Sequence, residues 1–476
     1  MHIIDIAVLV GYILFINIIG FKTSKSQNLS DYFVGNKNIP WIIACLSIVA
    51  TETSTLTFIS IPGVATKTGF SFLYIALGYI VGRFLVSLFL LPGYFKGNIQ
   101  TVYQFLQSKF SSRSQRVISV LFHITRLLAD GIRLFATAIP LALLTGLDFR
   151  IAILIIGVAT LFYTLFGGIS SVAFVDSIQL GLYVICAIAG LIIIPHILDI
   201  HFSTMIQKSI SGLQLSNFLQ NLSSKDLFKS YNLLSGIIGG GILSLATHGT
   251  DHLMAQRVLA CKDLRSAKKA MITSGFIVFF QFALFLLLGL CIQQVLGNKS
   301  FSKTDEIFPY FIIHNIPVGL KGLMFAGIFA AAMSSLSSSI NSLSASTVMD
   351  ILHLDKKNLS ETKQIRISRF ISFIWTITLI VFAIAVSDTN NPVVEIGLAI
   401  ASVTFGPILG IFFAAIFLDS LHEIIALAGV FVGITVVICC KLYGIFWPWF
   451  APIGFLSSFL IMLSGFYIKK LLFRKL

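Results

Sequence analysis

The residues able to do chemistry in this chain are ionisable and hydroxyl groups set inside long apolar runs. Glu52, Arg83, Arg126, Asp130, Arg133, Asp176 and Asp251 each fall in such a run. A charge near the bilayer centre costs about 2.5–3.5 kcal/mol on insertion scales, so each needs a partner or a function. Internal Arg–carboxylate pairing is the simpler explanation, and Arg126 and Asp130, at i and i+4, can pair within one turn. From Thr51 to Thr57 there are six polar residues, followed by Pro62-Gly63. Hydroxyls that bond back to the helix, and a proline that removes a donor, leave backbone carbonyls free. Free carbonyls at membrane depth survive only where they line a cavity or hold an ion; a Pro-kinked packing helix is the competing reading. A similar interruption is expected at Gly239-Gly-Gly241, Ser244 and Thr247-His-Gly-Thr-Asp251, against glycines that serve close helix packing. Ala331, Ser334, Ser335 and Ser338 lie at i, i+3, i+4 and i+7, on one helix face. Their hydroxyl and carbonyl oxygens are hard ligands of the kind that small hard cations accept, or else small residues that let backbones approach.

Other chemistries find no support. His123, His196 and His248 fall on different expected helices with no HExxH-type spacing, and the six cysteines show no CxxC or Cys/His ligand pattern. The expectation is therefore of no enzyme, no zinc site and no disulfide framework.

The elements that must position these groups are membrane helices. Hydrophobic residues make up 57% of the chain and charged residues only 11%, against about 25% charged in a soluble globule. Apolar runs of transmembrane length recur throughout. The first, Ile3 to Gly20, carries Asp5 near its start and no basic leader, and so reads as a membrane helix and not as a removed signal. About thirteen spans are expected, near 3–21, 40–66, 70–95, 115–145, 150–167, 169–196, 231–254, 270–295, 317–349, 367–388, 391–418, 421–443 and 447–470. The formal net charge of +14 does not call for nucleic acid, because roughly twenty Lys and Arg fall in alternate loops and roughly eight in the others. Arg257, Lys262, Arg265, Lys268 and Lys269, for example, read as one basic loop after the seventh span. This bias predicts a multi-pass protein of the plasma (inner) membrane, N-terminus outside and C-terminus cytoplasmic. The Ser-rich loop near 197–230 would then lie outside, with no soluble domain attached.

Three local patterns resemble the sodium:solute symporter family, the group of sodium–glucose transporters and proline permeases. They are Gly167-Gly-Ile-Ser-Ser-Val-Ala-Phe-Val-Asp176-Ser-Ile-Gln179, Gly249-Thr-Asp-His-Leu-Met-Ala-Gln256-Arg257, and Ala331-x-x-Ser334-Ser335. The resemblance implies an all-α integral membrane fold with discontinuous helices. Its core would be a five-plus-five inverted repeat of helices two to eleven, with repeats at 40–196 and 231–418, a peripheral helix at 3–21 and C-terminal helices at 421–470. It implies a sodium ion held by the carbonyls of Ala50, Thr53 and Ala331 and the hydroxyls of Ser334 and Ser335. It further implies a possible second sodium at Asp176, Ser337 and Ser338. Glu52 falls where proline permeases carry an acidic residue near the ion path. At the positions where sugar transporters carry aromatic and amide side chains stand Thr57, Ser244, Thr247 and His248, which argues against a sugar.

The function expected is sodium-coupled symport of a small polar organic solute by alternating access, with sodium as the co-transported ion and the lipid bilayer as surroundings. Proton coupling through Glu52 or Asp176 on the same fold is the alternative. A membrane-embedded sensor or enzyme lacks the residues or the attached domain it would need. Neither the solute nor the oligomeric state is legible.

Overall fold

The computed structural model describes residues 2–23, 28–97, 99–210, 231–297, 299–385 and 393–473. Most of the expected 197–230 loop, together with Lys25, Arg474 and Lys475, lies outside them.

The helices are α1 (Ile3–Lys22), α2 (Leu29–Val34), α3 (Trp41–Glu52), α4 (Thr55–Thr68), α5 (Leu73–Lys96), α6 (Val102–Lys109), α7 (Ser112–Thr145), α8 (Phe149–Leu198) and α9 (Phe202–Ile210). There follow α10 (Gly241–Thr250), α11 (His252–Leu259), α12 (Leu264–Leu296), α13 (Ile307–Asn315), α14 (Leu320–Ser346), α15 (Glu361–Ala385), α16 (Val393–Phe417), α17 (Glu423–Leu442) and α18 (Phe450–Phe473). Among the described residues there is no strand, only an isolated bridge between Ile39 and Cys261.

By length and hydropathy nine of these helices can cross a membrane, or ten if the bent pair α3/α4 is one span. Thirteen were expected. The difference has two physical sources. First, the 50 residues of α8 are two helices joined at a kink, about 75 Å in all at 1.5 Å per residue and more than twice a hydrocarbon core, so that two of the expected spans, 150–167 and 169–196, count as one. It bends at Gly168, whose φ of 58° and ψ of −172° only glycine adopts readily. Second, α7 and the α10/α11 pair carry the charged groups Arg126, Asp130, Arg133, Asp251 and Arg257 and do not register as apolar spans.

The middle of the molecule is α14. Of its most apolar window 94% is buried, against 22% for α1 and 28% for the window around α18. A helix buried all round sits inside, whereas helices exposed along most of their length face lipid. Two amides at the start of α14 are completed by Asp5 of α1: its Oδ1 accepts from the amides of Gly319 (2.7 Å) and Gly322 (2.9 Å). That contact explains a carboxylate in an otherwise apolar first helix.

The glycines expected to interrupt the seventh span do something else. Residues Ser235–Gly240 form a turn of π-helix that leads into α10 without a break. They let it press against α5: a Cβ on Gly236 would lie 2.3 Å from the Tyr74 side chain, and one on Gly78 would lie 2.2 Å from the Gly236 carbonyl. Close packing is their role. The interruption comes later, at Asp251, where ψ swings to 118° and α11 starts afresh.

Candidate ion and solute site

The second expected span is broken. Helix α3 stops at Glu52, Thr53 takes a ψ of 77°, and α4 departs at 61°. The Ser54 amide, which in a continuous helix would bond the Ala50 carbonyl, bonds the Glu52 carbonyl instead (2.9 Å). The carbonyls of Ala50 and Thr53 accept no backbone amide among the described residues. Pro62, by contrast, sits within α4 and does not make the break; the polar run from Thr51 does.

Helix α14 lays its serines across this gap. Ser334 Oγ reaches the Ala50 carbonyl (3.3 Å) and the Ala331 carbonyl (3.1 Å). Ser335 Oγ is buried with no hydrogen-bond partner, and it borders a small cavity with Ser54, Thr55, Asp130, Arg133 and Thr137. Thr53 Oγ1 donates to Gln281 Oε1 of α12 (2.9 Å), which fixes one side of the break. Carbonyl and hydroxyl oxygens of α3 and α14 thus meet at the break, and the guanidinium of Arg133 borders the adjoining cavity.

Asp176 lies fully buried on α8. Its Oδ2 accepts from Ser47 (2.7 Å) and Ser338 (3.3 Å), and Arg257 Nη2 stands 3.6 Å away. Oδ1 has no partner. Ser337 Oγ donates to the Ser334 carbonyl (3.1 Å). Arg257 also is fully buried, within α11 and not in the basic loop where the charge pattern placed it.

A second cavity opens beside the α3/α4 break, bordered by Glu52, Thr57, Arg126, Arg133, Thr247 and His248 among others. Of the residues expected on the solute path, Ser244 does not border it; its hydroxyl bonds the Tyr79 carbonyl (3.1 Å) in the α5/α10 seam. Glu52 is tied to Arg83, which also donates to Ser274 Oγ (2.8 Å). His248 Nε2 lies 3.5 Å from the same carboxylate and has no hydrogen bond of its own. Arg126 keeps the expected turn-to-turn contact with Asp130 (3.4 Å), but its main partner is Asp251 at the head of α11. Asp130 Oδ1 is shared with Arg133 (3.2 Å), and its Oδ2 takes the Ser339 hydroxyl (2.6 Å). The guanidinium partners Arg83, Arg126 and Arg257 were not assigned from sequence, because no spacing rule links residues 31, 125 or 81 positions apart. The one available signal was an excess of buried charge with no local mate.

Comparison with known proteins places the chain in a family. The sodium:solute symporter family profile matches residues 32–433. The sodium/sialic acid symporter of Proteus mirabilis is 28% identical over 93% of this chain and 90% of its own. The human sodium/iodide cotransporter is 24% identical over 90% of this chain and 68% of its own. A solved sodium-coupled sialic acid symporter, described in a substrate-bound outward-open state with a novel sodium site, superposes with a TM-score of 0.86 at 26% identity, covering 97% of both chains. The chain belongs to the sodium:solute symporter family. It is a multi-pass membrane transporter that couples solute movement to sodium, and not an enzyme; its fold is the five-plus-five inverted repeat with broken helices.

Proposed function

We propose that this symporter carries a small organic anion, and that its ions and solute occupy the two places where oxygens and charges converge. One sodium sits between the carbonyls of Ala50, Thr53 and Ala331 and the hydroxyls of Ser334 and Ser335. The observation that carries this is the α3/α4 break, whose freed Ala50 carbonyl already meets Ser334 at 3.3 Å. A second sodium uses Asp176, Ser337 and Ser338, where one carboxylate oxygen is uncommitted.

The solute binds in the cavity beside the break, against Glu52, Thr57, Thr247 and His248. Arg133 supports an anionic group on it. Its side chain is 15% exposed, the most open of the site's guanidiniums; its Nε has no partner, and its one carboxylate contact is shared with Arg126. Arg83, by contrast, is fully buried and held by Glu52. The relatives named for iodide, monocarboxylates and sialic acid all carry anions. A guanidinium fork matches a carboxylate in geometry and charge.

Sodium entering the gap ties α3 to α14 and so favours the state in which the solute site is complete; it can do this only by binding that state better than the other. Each net positive charge moved down the potential contributes about 2.3 kcal/mol per 100 mV, so two sodium ions carried with one monoanion move one net charge, enough for tens-fold accumulation. The repeats keep the bounds 40–196 and 231–418, and the basic loops set the N-terminus outside and the C-terminus in the cytoplasm of a plasma-membrane protein. The test is uptake of radiolabelled carboxylates into proteoliposomes under imposed sodium or proton gradients. Accumulation that needs sodium and is competed by other small organic anions, but not by sugars or cationic amines, supports the reading. Accumulation driven by a proton gradient alone, or competed only by neutral or cationic solutes, contradicts it.

A further inference from the structure

An open groove of about 800 Å³ runs between α1 and the first half of α8. Leu14, Ile18 and Phe21 form one wall and Leu154, Val158 and Phe162 the other. Four of these six, Leu14, Ile18, Phe21 and Phe162, are more than half exposed. In a membrane chain such a surface meets lipid tails. The α1 wall runs from Ile13 to Lys22, about 14 Å at 1.5 Å per residue, or roughly half of a hydrocarbon core about 30 Å thick. The groove is therefore one leaflet deep. Asn17 is its one uncharged polar lining group, and its amide already donates to the Ile13 carbonyl (2.9 Å).

The two ends differ in charge. Near Ile13 and Leu154 every lining residue is uncharged, whereas exposed Lys22 borders the other end. There the Phe166 ring packs edge-on against Phe21 (5.7 Å between centroids), and the guanidinium of Arg369 on α15 stands over that ring at 5.2 Å. Neither cation pairs with a carboxylate among the described residues, and Arg369 Nε has no hydrogen-bond partner. A lysine at the end of a span is explained by topology alone. A guanidinium held over the end wall of an apolar groove, with only an aromatic ring for company, still lacks an anion.

We propose that this groove holds one anionic phospholipid, with its acyl chains along Leu14, Ile18, Val158 and Phe162 and its phosphate at Lys22 and Arg369. The apolar walls take the chains of any phospholipid. Both cations are answered only by a headgroup of net negative charge, since a zwitterionic one brings its own ammonium to the same place. Lipid seated there holds α1 against α8 beside the Gly168 bend, where Thr23 Oγ1 also bonds Ser171 Oγ (2.8 Å). The site uses neither sodium nor solute, and so stands or falls apart from the transport reading.

The test is native mass spectrometry of the delipidated full chain in detergent, titrated with phosphatidylglycerol or with phosphatidylcholine of the same acyl chains. Wild type should bind one phosphatidylglycerol at least about tenfold more tightly than phosphatidylcholine, and should melt at a higher temperature with it. Lys22→Gln/Arg369→Gln should bring the two lipids within about twofold of each other and leave phosphatidylcholine binding unchanged. Lys22→Arg should keep the preference. So should Lys268→Gln/Lys269→Gln, which removes the same charge from a different hollow, on α12. Val158→Trp, which fills the groove, should weaken both lipids. Equal binding of the two lipids by wild type refutes the site, and that comparison decides even where a variant fails to fold. A loss of preference in Lys268→Gln/Lys269→Gln as large as in Lys22→Gln/Arg369→Gln also refutes it, because surface charge alone would then be at work. If inorganic phosphate raises the melting temperature as much as phosphatidylglycerol, the cations serve a free anion and the lipid is wrong. A wild-type dimer that Val158→Trp splits would put a second copy of the chain in the groove and overturn the lipid equally.

Discussion

The two broken spans answer the same backbone problem in opposite ways. At Thr53 the α3/α4 break leaves carbonyls without amides among the described residues and faces the Ala50 carbonyl with the neutral hydroxyl of Ser334 on α14. At Asp251 the α10/α11 break is filled by the protein's own charges, with Arg126 on one side and Arg257 closing over Asp176 on the other. Unsatisfied backbone cannot persist in a low-dielectric interior, so something must complete each break. On the sodium site proposed above, one break is completed from outside by a mobile ion, whereas the other is completed from within by arginine.

The largest expected effect comes from undoing the self-completed break. Arg126→Gln leaves Asp251 buried with a single backbone partner, and removing one member of a buried pair typically costs about 3–5 kcal/mol. Thermal unfolding in detergent should show this as a drop of several degrees or a loss of folded protein, whereas a shift within error would mean that this break is not held by its charges. Next is the mobile-ion break. Removing both hydroxyls with Ser334→Ala/Ser335→Ala should raise the sodium concentration for half-maximal uptake by at least about tenfold, with stability little changed. An equal loss of stability would erase the contrast between the breaks.

The solute cavity gives a middle-sized effect. Arg133→Lys keeps the charge but loses the planar fork, and should raise KM for a carboxylate solute by about tenfold while maximal velocity changes less. An unchanged KM would move the anion site away from Arg133. Smallest is a substitution remote from both breaks. Asp263 caps α12 by accepting from the Ser266 amide (2.7 Å), and these hydrogen bonds hold its carboxyl below the ordinary range. Since its folded pKa is depressed, the stability it adds is present above the unfolded value near 4 and fades as pH falls through the folded one. Asp263→Ala should therefore flatten the pH dependence of melting slightly below about pH 5 and leave sodium dependence untouched.

How much of this could be read from the chain depends on the range of the interaction. The α3 break was legible because its cause is local: a run of hydroxyl residues from Thr51 to Thr57 that compete for helix carbonyls. The serine face of α14 was legible because helical spacing alone sets it. The glycines before α10 misled, since glycine signals both a break and a close approach, and only the position of α5 decides between them. Pro62 misled in a similar way, as α4 carries it without interruption. Arg257 read as one of several loop cations because positive residues follow it in sequence; its burial depends on Asp176, 81 residues earlier. The pairs Arg83–Glu52 and Arg126–Asp251 were hidden for the same reason. Their partners are chosen by packing between helices far apart in sequence.

The most direct test is equilibrium binding of radiolabelled sodium to purified protein, without solute, for wild type and the Ser334→Ala/Ser335→Ala variant. The account predicts that the variant loses the ion at the α3 break while the ion dependent on Asp176 persists. Binding of unchanged stoichiometry and affinity in the folded variant would show that the carbonyls of Ala50 and Thr53 and the hydroxyls of α14 do not hold the coupling ion.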